Sequence, residues 1–237
     1  MKRFYLTEQE FNSGTIFGEE YNHIKNVLRM KEGDLFIAFI NTEEDYTCKI
    51  TSIDKKEIRF EVVSSSKNVA NPKIQIDVFE ALAKGEKMEL IAQKLTEIGV
   101  SNIYPLYIKN CDVKPNTTKT QRLEKIIISA AKQCGRSKLT FVHEIVDFKK
   151  SLNILKNYDL VLFANETEHK ATIYDLLTKH KNAKKIAYII GPEGGFTPEE
   201  IEEYKKVAKS VSLGNRILRT ETASIYLASI LNDFYRN

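Results

Sequence analysis

Residues 185–200 read KIAYIIGPEGGFTPEE, and this stretch decides the fold class. Its first six residues, Lys185 to Ile190, form an apolar run that predicts a buried strand. The next six, GPEGGF, contain three glycines, as a sharp backbone turn requires. Thr197, Pro198 and Glu200 then match a capping box with proline at the first helical position, so a helix is expected to begin there. A buried strand, a glycine turn and a helix in succession are typical of an α/β protein.

The same alternation extends over residues 71–237. The further predicted strands are Ile74–Leu82, Asn102–Leu106, Asp159–Ala164 and Val211–Leu213, and the predicted helices are Glu86–Ile98, Gln121–Cys134, Ala171–Lys179, Pro198–Lys209 and Glu221–Tyr235. Gly99 and Gly135 are expected to end two of these helices. Because the strands are nearly continuous apolar runs, they predict a parallel sheet that is covered on both faces.

The first 70 residues follow a different pattern. Short strand-like runs at Leu35–Ile40, Tyr46–Ile53 and Ile58–Val63 predict a small barrel or sandwich. Tyr21–Arg29 has helical spacing, which places Ile24, Val27 and Leu28 on one face. Ser64–Asn68 is predicted to be a linker because polar residues cluster there ahead of Asn71-Pro72. Two domains are therefore expected, at residues 1–70 and 71–237.

Composition points to a soluble protein of a reducing compartment. The chain has 237 residues, of which 42% are hydrophobic and 29% charged, as in ordinary globular proteins. It contains no apolar run long enough to cross a bilayer, and its N-terminus lacks the apolar core of a signal peptide. Cys48, Cys111 and Cys134 are odd in number and widely spaced, so neither a disulfide framework nor a zinc site is expected. A cytoplasmic location follows.

The charge is unevenly distributed along the chain. The formal net charge is +4, with −2 over residues 1–70, +5 over residues 71–150 and +1 over residues 151–237. A basic middle third is consistent with a polyanionic partner such as RNA. The alternative is a lysine-rich surface that is simply solvated.

Three loops are expected at the carboxyl ends of the strands, where parallel α/β sheets bind ligands. They are Asn165-Glu166-Thr167-Glu168, GPEGGF and LGNRILRTETAS, the last at residues 213–224. GPEGGF lacks the lysine motif of a phosphate loop and the Gly-x-Gly-x-x-Gly of a dinucleotide fold. Glu193, Glu199 and Glu200 would also compete with an anion for the helix end. A cationic ligand without phosphate, such as S-adenosylmethionine, fits better, and the alternative is a purely structural turn.

Basic residues mark candidate RNA contacts. In LGNRILRTETAS, Arg216 and Arg219 flank the apolar pair Ile217-Leu218, so the backbone can clamp an adenine while the arginines reach a nucleic acid. The alternative for the arginines is ion pairing with nearby glutamates, and Thr220 or Thr222 can cap the last helix. Further candidate phosphate contacts are Lys84, Lys87, Lys94, Lys132 and Arg136, for each of which a solvated face is the alternative. His23 has no cysteine or histidine near it, so an RNA or surface contact is expected rather than a metal.

The two loops together are similar to one known family. IIGPEGGFTPEE at residues 189–200, followed by SLGNRILRTETASIYL at residues 212–227, resembles the RsmE family of SPOUT methyltransferases. That family methylates N3 of a uracil in the 16S ribosomal RNA of the small ribosomal subunit. FEALAKGEKMELIAQKLTEIGVSNIYPL, YNHIKNVLRMKEGD and SAAKQCGR also resemble it, although Lys132 stands where a glutamate is usual. The likeness covers nearly the whole chain.

The resemblance implies a fold and a cofactor. The implied fold is α/β, a SPOUT-type parallel sheet with a C-terminal trefoil knot, preceded by a small PUA-like β-barrel. It also implies a homodimer and S-adenosyl-L-methionine held by the knotted loops, with no metal and no membrane. By motif position, the implied cofactor-binding residues are Leu162, Phe163, Glu166, Gly191, Glu193, Gly194, Gly195, Leu213, Gly214, Ile217, Leu218 and Thr220.

The implied reaction and substrate give further residues a role. Uracil N3 must lose its proton before it can be methylated, and a guanidinium near the uracil oxygens would stabilise the anion. Arg219 is the first candidate for this role and Arg136 the second, while Glu221 is a candidate general base or helix cap. The N-terminal domain is implied to bind RNA, through Arg3, His23, Lys25 and Arg29. The enzyme is expected to act on the assembled small subunit.

Two alternatives to this function remain open at the level of the sequence. One is a SPOUT methyltransferase that acts on another RNA position, such as a ribose 2′-hydroxyl. The other is a non-catalytic RNA-binding protein built on the same scaffold.

Overall fold

The structure is a computed structural model that describes residues 1–115, 120–166, 168 and 172–236. Contacts divide the chain into two units. The first contains residues 1–71 together with 131–139, and the second contains residues 72–130 and the chain from Thr140 onward. The break after Asn71 lies one residue from the predicted boundary. Nothing in the sequence pattern indicates that residues 131–139 belong to the first unit.

The first unit is built on a five-stranded sheet in the order β1-β3-β4-β5-β2. Its elements are β1 (Lys2–Tyr5), α1 (Glu8–Ser13), β2 (Thr15–Ile16), α2 (Gly18–Asn22), a π-helical turn (His23–Val27), β3 (Leu35–Phe39), β4 (Glu44–Ile53) and β5 (Ile58–Lys67). β1 pairs with β3 in parallel, and the other pairs are antiparallel. Phe4, Phe36, Ile50 and Ile58 are buried between these elements and form the core of the unit.

Two predictions for this unit are wrong. The linker predicted at Ser64–Asn68 is strand as far as Lys67, because the serines continue the β5 ladder opposite residues 44–47 of β4. Val27 was placed on the apolar face of a helix, but its side chain is 69% exposed. The cause is the π-helical turn: the Leu28 amide donates to the His23 carbonyl five residues back, at 2.9 Å, and this wider turn moves Val27 away from Ile24.

The second unit contains a parallel sheet in the order β12-β10-β11-β6-β7-β8, with β9 also paired to β7. Its strands are β6 (Gln75–Ala81), β7 (Asn102–Tyr107), β8 (Phe141–Val142), β9 (Val146–Asp147), β10 (Leu160–Ala164), β11 (Lys185–Ile190) and β12 (Lys209–Val211). Its helices are α3 (Gly85–Ile98), α4 (Thr120–Cys134), α5 (Phe148–Leu155), α6 (Ile173–Lys179), α7 (Pro198–Val207) and α8 (Thr220–Tyr235). Every described strand pair of this sheet is parallel, as predicted. The trefoil knot stays a prediction.

Element ends differ from the predictions by a few residues. Helix α3 ends as expected, with Gly99 in the left-handed region at a φ of 110°. Helix α7 stops two residues short of the predicted Lys209, because Ala208 is extended and leads directly into β12. Ala171, the predicted start of α6, lies outside the described residues. Helix α5 and the short strands β8 and β9 were not predicted.

Strand register brings the three candidate loops to one edge of the sheet. Ala164 at the end of β10 is paired with Val211 at the end of β12. β11 lies on the other side of β10 and ends at Ile190, which is paired with Glu80 of β6. Because these neighbouring strands are parallel, the segments that follow them leave the sheet together.

Candidate functional site

A cavity of about 680 Å³ lies where these three segments meet. Its walls are residues 164–166 at the end of β10, residues 190–193, 195 and 196 at the end of β11, residues 212–220 after β12, and residues 201 and 223 of the following helices. The volume is within the range of about 300–1,000 Å³ usual for small-molecule sites. The expected position of a ligand site at the carboxyl ends of the strands is therefore where the cavity is found.

Most of the predicted cofactor residues line this cavity. Those that do are Glu166, Gly191, Glu193, Gly195, Leu213, Gly214, Ile217, Leu218 and Thr220. Leu162 and Phe163 do not, since both side chains are fully buried in the sheet. Gly194 faces Asn110 instead of the cavity. Thr167 lies outside the described residues.

Gly191 allows the chain to pass close to an aromatic ring. A methyl group at this position would lie 2.4 Å from Cε2 of Phe196. That ring packs against Phe163, with centroids 4.8 Å apart, and against Tyr204, at 5.7 Å. Glycine is therefore required at position 191 because there is no space for a side chain, and not because of the backbone conformation. Gly195, with a φ of 69°, is needed for its conformation instead.

Side-chain contacts hold the second half of the GPEGGF loop and the start of α7 in shape. The side-chain amide of Asn110 donates to the carbonyls of Gly194 and Gly195, at 3.1 and 3.0 Å. The predicted capping box is confirmed: the Glu200 amide donates to Thr197 Oγ1 at 3.2 Å, and the Thr197 amide donates to Glu200 Oε2 at 2.8 Å. No sequence signal indicated Asn110, which is 84 residues away from Gly194.

The third segment is tied directly to the second. Thr220 Oγ1 donates to the Gly191 carbonyl at 3.3 Å. The predicted cap is wrong, because Arg219 occupies the N-cap position and forms no side-chain cap bond. Thr220 lies one residue inside α8, where its hydroxyl group is directed at the neighbouring loop. The two motif loops therefore form one structure around the cavity.

Charged groups surround the cavity. Lys87 Nζ lies 2.5 Å from Glu193 Oε1, and this hydrogen bond lowers the pKa of Glu193. Lys87, predicted to contact RNA, is thus engaged by a cavity residue. Glu221 is half-buried in the first turn of α8, and its Oε2 is buried without a hydrogen-bond partner among the residues described. Glu80 is fully buried, and Ser224 Oγ donates to its Oε2 at 2.6 Å.

The sequence motifs did not indicate Glu80 as a site residue, although the sequence contained a signal for it. The predicted strand Ile74–Leu82 is apolar apart from Gln75, Asp77 and Glu80, and a carboxylate in a covered strand is unusual. Burial raises the pKa of Glu80 well above its ordinary value, and the nearby Glu221 and Glu193 carboxylates raise it further. Asp77 is also buried, and it accepts hydrogen bonds from Gln75, Asn102 and Tyr158.

The rim of the cavity combines an apolar side chain with free cations. Ile217 is 87% exposed, and Arg216 and Arg219 on either side of it are also exposed. Within the described chain, neither guanidinium forms an ion pair or a hydrogen bond, so the alternative of surface pairing with glutamates finds no support. An exposed apolar side chain between two arginines is suited to a base and its phosphates.

The other predicted RNA contacts differ in whether their side chains are already engaged by other residues of the protein. Arg3 is held by Asp45 through two hydrogen bonds of 2.7 Å, Lys25 donates to Tyr21 and to the Asp54 carbonyl, and His23 lies 3.5 Å from Glu20. Lys94 pairs with Glu97. Lys84 and Arg29 are exposed, and Arg29 has a φ of 52°. Lys84 and Arg29 are therefore the freer candidates, and for all of them an RNA role stays a prediction.

Arg136, the second catalytic candidate, does not line the cavity. It belongs to the first unit and is 2% exposed. Burial lowers its pKa to about 10. Arg219 is therefore the better placed of the two arginines. Lys132, which departs from the family's usual glutamate, pairs with Glu20 at 2.5 Å within the same unit.

Among residues 1–115, 120–166, 168 and 172–236, no group of three or more His, Cys, Asp or Glu side chains could hold a metal ion. No helix in that part of the chain has the length and apolar character needed to cross a bilayer. Cys48, Cys111 and Cys134 are free thiols.

Comparison with known proteins agrees with the fold. Residues 70–232 match the family model of the RNA methyltransferase domain, and residues 17–63 match that of the RNA methyltransferase PUA domain. The chain is therefore an RNA methyltransferase whose methyltransferase domain follows a PUA domain. The predicted α/β fold with a PUA-like N-terminal domain and the predicted RNA methyltransferase class are confirmed, while the knot and the uracil N3 target stay predictions.

Individual relatives narrow the class to one family. The ribosomal RNA small subunit methyltransferase E of Bacillus subtilis is 30% identical over 98% of this chain and 96% of its own length. The protein of the same name from Mesomycoplasma hyopneumoniae is 32% identical, over 96% and 97%. The chain belongs to the ribosomal RNA small subunit methyltransferase E family.

Two solved structures show related proteins with a cofactor. A methyltransferase of Legionella pneumophila in complex with S-adenosylmethionine has a TM-score of 0.85 and 30% identity, covering 98% of this chain and 96% of its own. The ribosomal RNA small subunit methyltransferase E of Neisseria gonorrhoeae, bound to S-adenosylmethionine, has a TM-score of 0.87 and 26% identity, covering 99% and 98%.

Proposed function

We propose that this protein transfers a methyl group from S-adenosylmethionine to N3 of a uracil in 16S ribosomal RNA. One observation carries the proposal. The segment 212–220 lines the cavity with its backbone and apolar side chains, and it also presents Arg216, Ile217 and Arg219 at the rim. A cofactor in the cavity and an RNA base at the rim would then meet across a single loop.

The cavity residues fit this cofactor. Among the described residues, the wall contains the carboxylates Glu166 and Glu193 beside the two rim arginines, and these carboxylates can attract the positively charged sulfur of the cofactor. Gly191, Leu213 and Leu218 would hold the adenosine part through backbone groups and apolar contacts. S-adenosylmethionine, when bound, supplies an activated methyl group on a positively charged sulfur.

The chain's own residues would prepare the uracil. Arg219 is exposed at the N-terminus of α8, where its guanidinium can stabilise the negative charge that develops on a uracil oxygen as N3 loses its proton. Glu221 is two residues further along, outside the residues that line the cavity, and its buried Oε2 has no hydrogen-bond partner among the described residues, so it is the candidate acceptor of that proton. Phe196, Ile201 and Leu218 form an apolar wall that excludes water from the site.

We further propose that the protein acts as a cytoplasmic homodimer on the assembled small ribosomal subunit. Ribosomal RNA is the substrate given in the names of the relatives, and the sequence resemblance implies the homodimer and the uracil target. Of the four RNA contacts predicted in the first unit, Arg29 is the one whose side chain is exposed and not engaged with a described residue, so it is the best candidate among them.

The test uses labelled S-adenosylmethionine with unmethylated small subunits and, separately, with naked 16S RNA. The proposal expects label at N3 of one uracil, located by mass spectrometry. Label at a ribose 2′-hydroxyl would show another methyltransferase specificity. Cofactor binding without any transfer would favour a non-catalytic RNA-binding protein.

The role of Arg219 is tested by substitution. Arg219→Ala should lower kcat by about 10²–10³-fold, as is found when a donor to a developing oxyanion is removed, and should change cofactor affinity little. Arg236→Ala is the matched control, since Arg236 is an exposed arginine at the other end of α8, paired with Asp233. Full turnover by Arg219→Ala on ribosomal subunits would rule out the anion-stabilising role.

A further inference from the structure

Glu80 is a buried acid directly beneath the cofactor cavity. It lies next to the end of β6, paired in register with Ile190, the last residue of β11 before the GPEGGF loop. Its side chain is fully buried. Neither the sequence motifs nor the proposed mechanism assigns it a role. An acidic side chain kept in such a place needs a physical explanation.

The contacts of Glu80 lead to the start of α8. Ser224 Oγ donates to Glu80 Oε2 at 2.6 Å, and Tyr188 of β11 donates through its hydroxyl group to the Ser224 carbonyl at 3.3 Å. One helical turn earlier, Thr220 lines the cavity and donates to the Gly191 carbonyl. Two adjacent strands and one loop therefore hold the first two turns of α8 in place.

The surroundings of Glu80 favour its neutral form. The ionisable groups that act on it are Glu221 of α8 and Glu193 of the cofactor loop, both acidic, while Lys87 of α3 is paired with Glu193. Tyr188 faces Ser224 from β11 and is itself fully buried. Glu80 Oε1 is buried with no hydrogen-bond partner in the described part of the chain. A carboxylate here would have one hydrogen bond and two like charges as neighbours.

We propose that Glu80 is a positioning residue of the cofactor site, whose buried carboxyl group holds Ser224 and thereby fixes the first two turns of α8, with Thr220 at the cavity. The inference rests on the proposed function only in naming S-adenosylmethionine as the ligand. A neutral acid can share a hydrogen bond with Ser224 without placing a third negative charge beside Glu193 and Glu221.

This protonation state has a consequence for stability. Burial raises the pKa of Glu80 in the folded protein well above 4.5, its ordinary value. At low pH, both the folded and the unfolded chain carry the proton. As the pH rises above the ordinary value, the unfolded chain loses its proton first, so stability falls until the pH reaches the folded pKa. Glu80→Gln keeps an acceptor for Ser224 and removes this dependence.

Thermal unfolding tests the protonation state without any cofactor. The difference in Tm between Glu80→Gln and the wild-type protein should increase in favour of the variant from about pH 5 to about pH 8. Glu97→Gln is the matched control, because Glu97 is a partly buried acid of α3 paired with Lys94, and it should show no such increase. A difference in Tm that stays constant with pH would overturn the inference, since it would mean that Glu80 is ionised in the fold.

Cofactor affinity, measured by calorimetry, tests the positioning role. Glu80→Ala and Ser224→Ala should each weaken S-adenosylmethionine binding by about tenfold or more, the usual effect of leaving a buried polar group without its partner. Glu80→Gln should stay within about threefold of the wild-type protein because the hydrogen bond is retained. Should Glu80→Ala fail to fold, Ser224→Ala and Glu80→Gln still decide the question.

The outcomes separate this inference from the proposed function. A wild-type protein that binds no S-adenosylmethionine would overturn the proposed function. A wild-type protein that binds it while Ser224→Ala binds equally well would overturn the positioning role and leave the proposed function standing. Binding by Glu80→Gln as weak as that of the alanine variant would also overturn it, because a neutral acceptor would then not suffice.

Discussion

Gly191→Ala should damage the cofactor site through a steric clash that involves Phe196. The new methyl group would lie 2.4 Å from Cε2 and 2.9 Å from Cδ2 and Cζ of that ring. The ring has little freedom to move, because Phe163 and Tyr204 pack against it. Either the ring or the backbone at residue 191 must therefore shift, and both line the cavity.

The size of the effect follows from the packing. Forcing an extra methyl group into a packed site costs about 1–3 kcal/mol. If all of it is lost from binding, S-adenosylmethionine affinity falls by about 5- to 150-fold, since about 1.4 kcal/mol corresponds to tenfold. If part of it is lost from folding instead, Tm falls by about 2–4 °C for each kcal/mol in a chain of this size. Calorimetry and thermal unfolding together measure both parts.

A double-mutant cycle isolates the cause. Phe196→Ala removes all three clashing ring atoms, so the double variant should be less impaired than the two single variants predict, by about 1 kcal/mol or more. Gly214→Ala is the control for a change that does not involve a clash. Gly214 also lines the cavity, but there an alanine is disfavoured by the φ of 105°, and nothing lies within 4 Å of the new methyl group. Equal damage by Gly191→Ala with and without Phe196 would refute the steric explanation.

Two further predictions concern stability. Thr197→Ala should lose the capping box at the start of α7 and lower stability by about 1 kcal/mol, or about 2–4 °C in Tm, whereas Thr197→Ser should retain it. An unchanged Tm for Thr197→Ala would argue against the cap. Burial raises the pKa of Asp45, but hydrogen bonds from Arg3, Ser137 and Asn68 outweigh it and hold the pKa below 3.8, the ordinary value. This stabilisation is present above that value and is lost as the pH falls below it, so Asp45→Asn should lower Tm at neutral pH and match the wild type in acid. A difference that persists in acid would show that charge is not the cause.

Local patterns were sufficient for the elements that determine the site. The bounds of β11, Lys185–Ile190, are those predicted, and the Thr197–Glu200 cap is present as predicted. Both depend on residues that are close in sequence, where periodicity and capping chemistry act directly. The position of the cavity followed from one rule about parallel sheets, without any knowledge of side-chain contacts.

Other features depend on residues that are distant in sequence. Asn110 supports the GPEGGF loop from 84 residues away, and Glu80 meets Ser224 across 144 residues. Such contacts follow from strand order, and the pattern of one segment does not contain them. The errors in the first unit have a local cause: serines are compatible with either a linker or a strand, and pairing with β4 decides between the two at Ser64–Lys67.

The inclusion of residues 131–139 in the first unit affects how the chain can fold during synthesis. Asn68 donates to the Gly135 carbonyl at 2.8 Å, and Asn71 accepts from the Ser137 amide at 3.1 Å. These partners are made more than 60 residues after the rest of the unit. Protein chains emerge from the ribosome N-terminus first. The first unit therefore cannot close until residues 72–130 of the second have also emerged, and a fragment cut at residue 71 would lack part of its own structure.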